Sequence, residues 1–393
     1  AKLAADLSTH AEALRALGAD AADAAQKLQA LLPAPPAPAP TSAEVVRYGR
    51  MLHVVDTVNS IDRQVARWPL QVVQGDPWHR EQLRALNASP GTLTLRYADM
   101  VARRPTDKYG DSTCLPLGKI LDAWMLRNKA GSIISRKLEG DQFVDPGNTS
   151  YQDAAVTNLA DVCISQGWAG IWVDEVNRYP SDSFHDLPTA ADNTPVKYTA
   201  RDAYSDAVLQ FVGTVTRGLW QRGLQVWVNL GGQLDPATGY WDTWTQQVAV
   251  VSTGHCIEFF VARGDQAPAS LENGYWRPSL DWVTWQATAP CAAMYNAQTI
   301  EPALVTYALA TYLLGMGPAG NSFFCAGRDP YKLAETVWTG DMVAAQKLGR
   351  ALGKYMATGG IYMRRFEHGI VQVNPSEKPV GGLRPTSGAI TLV

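Results

Sequence analysis

From residue 3 to residue 31, apolar or small residues recur in a 4-3 alternation: Leu3, Leu7, His10, Leu14, Leu17, Ala21, Ala24, Leu28 and Leu31. A stripe of this period predicts a helix over 1–32 that winds around copies of itself. A helix packed on its own domain would drift toward a 3.6-residue repeat. The alternative is a single amphipathic helix docked on the rest of the chain. The stripe leaves dimer and trimer open. Residues 33–43 form a Pro/Ala-rich linker, which can join neither helix nor sheet. At ~3.1 Å per residue, its Pro33–Pro40 run makes a stiff spacer of roughly 25 Å.

Beyond residue 44 the pattern changes to short apolar runs separated by helical stretches. The runs are 51–56, 70–74, 92–97, 170–175, 224–229, 256–261, 291–295 and 322–325. Helical periodicity is clearest at 77–86, 151–166, 200–222 and 302–314. Eight strands alternating with helices predict a parallel sheet closed into an α/β (β/α)8 TIM barrel over 44–358. An open, doubly wound sheet is the alternative. The Gly-x-Gly-x-x-Gly at Gly315, Gly317 and Gly320 follows a helix and precedes a strand, the reverse of the dinucleotide-binding order. Residues 360–373 alternate about a turn near Glu367-His368-Gly369. They predict a hairpin in a C-terminal extension over 359–393.

Composition narrows the function. The 393 residues are 46% hydrophobic and 18% charged, enough for a large core. A net charge of −3 leaves no basic footprint for nucleic acid. The longest apolar stretch, 303–316, is too short to span a bilayer, which needs roughly 20 residues, and no signal peptide is read at the start. Cys114, Cys163, Cys256, Cys291 and Cys325 are scattered and read as buried thiols. The six histidines form no metal-binding spacing, and no metal or organic cofactor is expected. Thirteen Trp against eight Phe suit sugar stacking as well as core filling.

Barrel enzymes gather their chemistry at strand C-termini. The run Ile171-Trp172-Val173, entered through Gly170, ends on Asp174-Glu175. Adjacent strand residues face opposite sides, so one of that pair points away from the cleft. Other polar residues at predicted strand ends are Asp56, Gln74 with Asp76, Arg96, Tyr97, Asp99, Asn229, Glu258, Tyr295 and Asn296. Carboxylates dominate, as glycoside hydrolysis requires: one acid to protonate the leaving oxygen and one carboxylate to attack or to activate water. The expected catalytic set is Asp174 and Glu258, with Glu175 as the rival for either role. Glu258 reads as sunk in the apolar strand His255–Phe260, where desolvation would raise its pKa; pairing with Arg96 is the structural alternative. Asp56, Arg96, Asp99, Trp172, Trp227, Asn229, Trp285 and Tyr295 are expected to bind substrate.

Phe143-Val144-Asp145-Pro146-Gly147-Asn148, a helix, and then Gly170-Ile171-Trp172-Val173-Asp174 resemble the hypothetical TIM-barrel glycoside hydrolases, distant relatives of endo-α-1,4-polygalactosaminidases. The Gly360–Gly369 segment, with Val373-Asn374-Pro375, resembles the C-terminal hairpin of that family. The likeness spans roughly 45–375. It implies a (β/α)8 barrel with Asp174 as a catalytic carboxylate. Trp168-Ala169 replaces the acidic step that usually precedes the fourth strand.

The sequence thus predicts a polysaccharide-cleaving barrel, homo-oligomeric through residues 3–31. Its expected location is extracellular or in a virion, where other phage-tail proteins would be partners. The competing reading is a non-catalytic carbohydrate-binding, receptor-binding or structural tail module on a degenerate barrel.

Overall fold

The computed structural model describes residues 46–52, 70–73, 93–100, 113–135, 142–178, 194–231, 242–262, 267–317, 322–327 and 337–393. The heptad stripe, the Pro/Ala linker, Asp56, Gln74 and Asp76 lie outside the described residues.

Eight parallel strands close on themselves: β1 (Arg47–Leu52), β2 (Leu70–Val73), β3 (Leu93–Asp99), β4 (Gly170–Asp174), β5 (Gln225–Asn229), β6 (Gly254–Ile257), β7 (Ala292–Ala297) and β8 (Ser322–Ala326). Closure runs through Arg47 opposite Phe323 and Tyr48 opposite Phe324, which excludes the open doubly wound sheet. Two strands depart from the sequence pattern. β1 starts and ends about four residues early, and β6 covers 254–257 instead of 256–261. The apolar run after β6 misled, because Phe260 has left the strand and packs its ring on Tyr295 among the helices.

Glycines open two strands because backbone or ring passes too close for a side chain. A Cβ on Gly170 would lie 2.2 Å from the Gln225 carbonyl oxygen, and one on Gly254 would lie 2.5 Å from the Trp227 ring.

The described helices are α1 (Thr149–Gln166), α2 (Arg201–Trp220), α3 (Thr243–Val251), α4 (Trp276–Gln286), α5 (Pro302–Gly315) and α6 (Gly340–Gln346). The Asn148 side chain caps α1 by accepting from the Tyr151 N–H, and Gly167 ends it in the left-handed region at φ 92°. Helix α5 is buried almost throughout because it lies between the barrel and a four-stranded antiparallel sheet. That sheet has the order β12 (Ser387–Leu392), β11 (Gly369–Asn374), β10 (Ile361–Phe366), β9 (Met356–Thr358), so the expected hairpin is its centre. Arg364 fastens it to the barrel by donating Nη1 to the last carbonyls of α5, Leu313, Leu314 and Met316, at 3.0, 3.1 and 2.7 Å. Among the described residues, no helix is long and apolar enough to cross a membrane.

Strand alternation divides the barrel residues between two cores. Leu95, Tyr97, Trp172, Trp227, Cys256, Met294, Phe323 and Cys325 fill the interior. Their neighbours Ile171, Val173, Val226, Val228, Ile257 and Tyr295 pack outward under the helices. His255 also belongs to the outer side. It is fully buried, accepts the Trp282 indole N–H at 3.2 Å, and burial drives its pKa down to about 3. An unfolded imidazole titrates near 6.5, so the unfolded chain gains the extra proton as pH falls. This share of stability is complete above about pH 6.5 and drains below it at about 1.4 kcal/mol per pH unit. Unfolding free energy should therefore fall by about 2–3 kcal/mol between pH 6.5 and 4.5 on this account. His255→Gln, whose carbonyl can still accept from Trp282, should remove that part of the slope. An unchanged slope in denaturant titrations would show that His255 charges in the native state.

Candidate active site

Five consecutive strands each present one polar side chain at the C-terminal end of the barrel. Tyr97 comes from β3, Asp174 closes β4, Asn229 closes β5, Glu258 follows β6 directly and Gln298 follows β7 directly. The Tyr97 hydroxyl donates to Asp174 Oδ2 at 2.8 Å. Asp174 Oδ1 accepts the Glu175 backbone N–H and the Asn229 amide, both at 2.9 Å. The same Asn229 nitrogen donates to Glu258 Oε2 at 2.7 Å, and Gln298 Nε2 donates to Glu258 Oε1 at 3.0 Å.

One amide nitrogen bonded to both carboxylates limits how far apart they can be. Bonds of 2.9 and 2.7 Å laid end to end bound the oxygen separation at about 5.6 Å. The ~120° fan of an amide NH2 brings it to about 4.9 Å. Both carboxylates are half-buried. Asp174 takes three donors, and Glu258 takes two from the amides, one of them shared. Beneath them lies the Cys256 thiol, held protonated first by burial and then by Glu258, the neighbouring Cys325 and Asp174.

Glu175 turns away from this line. Its backbone sits in the left-handed region at φ 60°, which a non-glycine residue adopts only under local constraint. That kink lets its N–H reach Asp174, while its carboxylate accepts from Asn177 Nδ2 at 2.7 Å.

The structure separates the sequence-predicted residues. Asp174, Glu258 and Asn229 converge, with Glu175 at the margin. Glu258 is half-buried at a strand tip rather than sunk within a strand, because β6 ends one residue earlier. Trp172 and Trp227 do point inward, but each is only 1% exposed; they form the floor of the barrel and cannot stack on a sugar. Trp285 is on helix α4 against Trp282 and His255, not at a strand end. Tyr295 faces outward against Phe260 and Tyr312 and is fully buried. Arg96 and Asp99 are buried too. Burial pushes the Cys114 thiol in the helix-side core up to about 12, with Asp99 adding to the rise and Arg96 opposing it. Asp56 is outside the described residues.

Gln298 escaped the sequence reading. Counting by twos from inward-facing Met294 through Asn296 reaches it, and only the strand boundary, drawn at 295, hid the signal. The Asp145-Pro146-Gly147-Asn148 motif lies at the start of α1, on the same rim as the carboxylates. Asp145 accepts from the Gly147 N–H at 3.0 Å, from the Tyr198 hydroxyl and from Lys197 Nζ at 2.6 Å. Asp145, Lys197, Asp122 and Arg127 line a cavity of about 270 Å³ between the segments that follow β3 and β4. Among the described residues, no group of three His, Cys, Asp or Glu is arranged to hold a metal ion.

The profile of hypothetical glycosyl hydrolase family 15 matches residues 89–370, well over half the chain and including all five converging side chains. The chain belongs to this family. The resemblance read from the Asp145–Asn148 and Gly170–Asp174 motifs pointed to the same fold and to a glycosyl hydrolase family. Among curated proteins none matches the chain. Solved structures similar to this member of the family include an α-N-acetylgalactosaminidase from Bifidobacterium bifidum, with 10% identity and TM-score 0.47. That match covers 91% of this chain and 59% of the other. The isomalto-dextranase of Arthrobacter globiformis T6 has 10% identity and TM-score 0.47, with coverage of 90% and 73%. A cycloisomaltooligosaccharide glucanotransferase from Paenibacillus sp. has 12% identity and TM-score 0.42. The match covers 66% of this chain and only 39% of that larger enzyme.

Proposed function

We propose that this family member cleaves a glycosidic bond within a polysaccharide with retention of configuration, Asp174 acting as nucleophile and Glu258 as general acid and then base. The observation that carries the reading is the single Asn229 amide donating to both carboxylates, which holds them at about the 5–5.5 Å spacing of retaining enzymes rather than the roughly 6.5–9.5 Å that leaves room for an inverting water. In the first step Glu258 gives its proton to the leaving oxygen while Asp174 attacks the anomeric carbon and forms a glycosyl ester. In the second, Glu258 takes a proton from water, and the resulting hydroxide displaces Asp174 from the sugar. The charge on Asp174 favours a protonated Glu258 until the ester forms; the ester is neutral, which releases Glu258 to act as base.

A depolymerisation screen against bacterial surface polysaccharides, read by reducing ends, tests the activity. NMR of the first-formed anomer tests the stereochemistry, and an inverted product would overturn the retaining assignment. Binding without cleavage on any glycan in the screen would favour the non-catalytic module.

The heptad stripe supports display of the barrel on an oligomeric stalk, as an extracellular or virion tail component that meets a surface glycan. Light scattering should give an oligomer for the full chain and a monomer for a variant lacking residues 1–40. Equal monomeric masses would remove the stalk from the reading.

A further inference from the structure

We propose that Asn229 is not a substrate-binding side chain but the positioning residue that fixes the spacing of Asp174 and Glu258 and, by donating to both, lowers the cost of charging the pair. The inference rests on the two-carboxylate reading above and adds what sets up the pair. Asn229 is buried at the end of β5, the strand between those that carry the two carboxylates. Both of its N–H bonds are spent, one on Asp174 Oδ1 and one on Glu258 Oε2, which leaves no donor for a sugar hydroxyl. Its own oxygen accepts the Gly231 backbone N–H at 2.9 Å. A flipped amide would set oxygen against two carboxylates and nitrogen against an N–H, so the surroundings permit one orientation only.

The chemical consequence follows from what the amide stabilises. Two carboxylates this close resist carrying two charges, and the pair titrates as a unit. An NH2 group donating to both lowers the cost of the doubly charged state without removing the repulsion. The titratable side chains facing the pair are Tyr97 from β3 and Cys256 and Cys325 below, while Asp99 pairs with Asp174 in strand register and Glu175 follows it in the chain. Of these, Tyr97 donates to Asp174, whereas Asn229 alone among the described hydrogen bonds touches both carboxylates.

The experiment is a carboxyl 13C NMR titration of ligand-free protein labelled at Asp and Glu, with Asp174→Asn and Glu258→Gln used to assign the two signals. Wild type should lose the pair's protons in two separated steps. In Asn229→Ala the upper step should rise by about one pH unit or more, because the doubly charged state has lost its shared donor. Asn229→Ser, too short to bridge, should behave alike and serves if the alanine variant does not fold. A merely structural role would lower the melting temperature and leave the upper step in place. Folded variants with a coupled pair and an unmoved upper step would overturn the role of Asn229 while leaving the catalytic pair standing. Two carboxyl groups that titrate independently in wild type would instead sink the pair itself.

Discussion

Asp174→Asn should lower kcat by about 10⁴-fold on whichever polysaccharide the screen yields, with the fold intact. The variant keeps the shape of the side chain and removes only its charge and nucleophilicity. Its amide oxygen can still accept from Asn229 and from the Glu175 N–H, and its NH2 can donate to Tyr97 once that hydroxyl rotates to accept. Stability should therefore change little, which separates catalysis from folding. Steady-state kinetics beside thermal melts is the measurement. Activity within tenfold of wild type would eliminate Asp174 as nucleophile and direct attention to Glu175.

Trp227→Ala should cost about 3–5 kcal/mol of stability, the range for truncating a large buried aromatic. The ring lies 6.0 Å from Phe323, centroid to centroid, and across the strand pair from Trp172. Gly254 contributes no side chain that could relax into the space, since its missing Cβ is what lets the indole lie there. Glycan binding per folded molecule should be unchanged. A sharp loss of binding with normal denaturant unfolding would restore Trp227 to the cleft and contradict its position in the floor.

These outcomes bear on how far the sequence could be read. Strand number and barrel closure were legible because parallel strands buried on both faces leave compact apolar runs, and Gly170–Asp174 is one of the cleanest. Asp174 was legible as a strand-end carboxylate because it closes such a run. Glu258 was picked out for a partly mistaken reason, since the apolar residues read as embedding it belong to a segment already outside the sheet. Direction was the harder quantity. Arg96 and Tyr295 sit on the outward phase of strands whose neighbours Tyr97 and Asn296 face inward, and a one-residue error in phase reverses such an assignment. Trp172 and Trp227 had the right phase but the wrong depth. Periodicity gives the side of a sheet, whereas height along the barrel axis depends on strand stagger, which no single strand encodes.

The segment that follows Glu258 is tied to the next strand rather than to its own helix. Phe260 N–H donates to the Asn296 carbonyl, Gln298 N–H to Ala262, and Ala262 N–H to Phe260 across Val261, a β-branched residue held at φ 63°. Glu258 is thus followed by a segment held on β7, Asp174 is held to β3 through Tyr97, and Asn229 at the end of β5 bonds to both carboxylates. Under the reading proposed above, such a division leaves the segments after β3 and β4, where the Asp145–Lys197 cavity lies, free to change without displacing Glu258. Substrate range and reaction chemistry can then drift separately within one barrel.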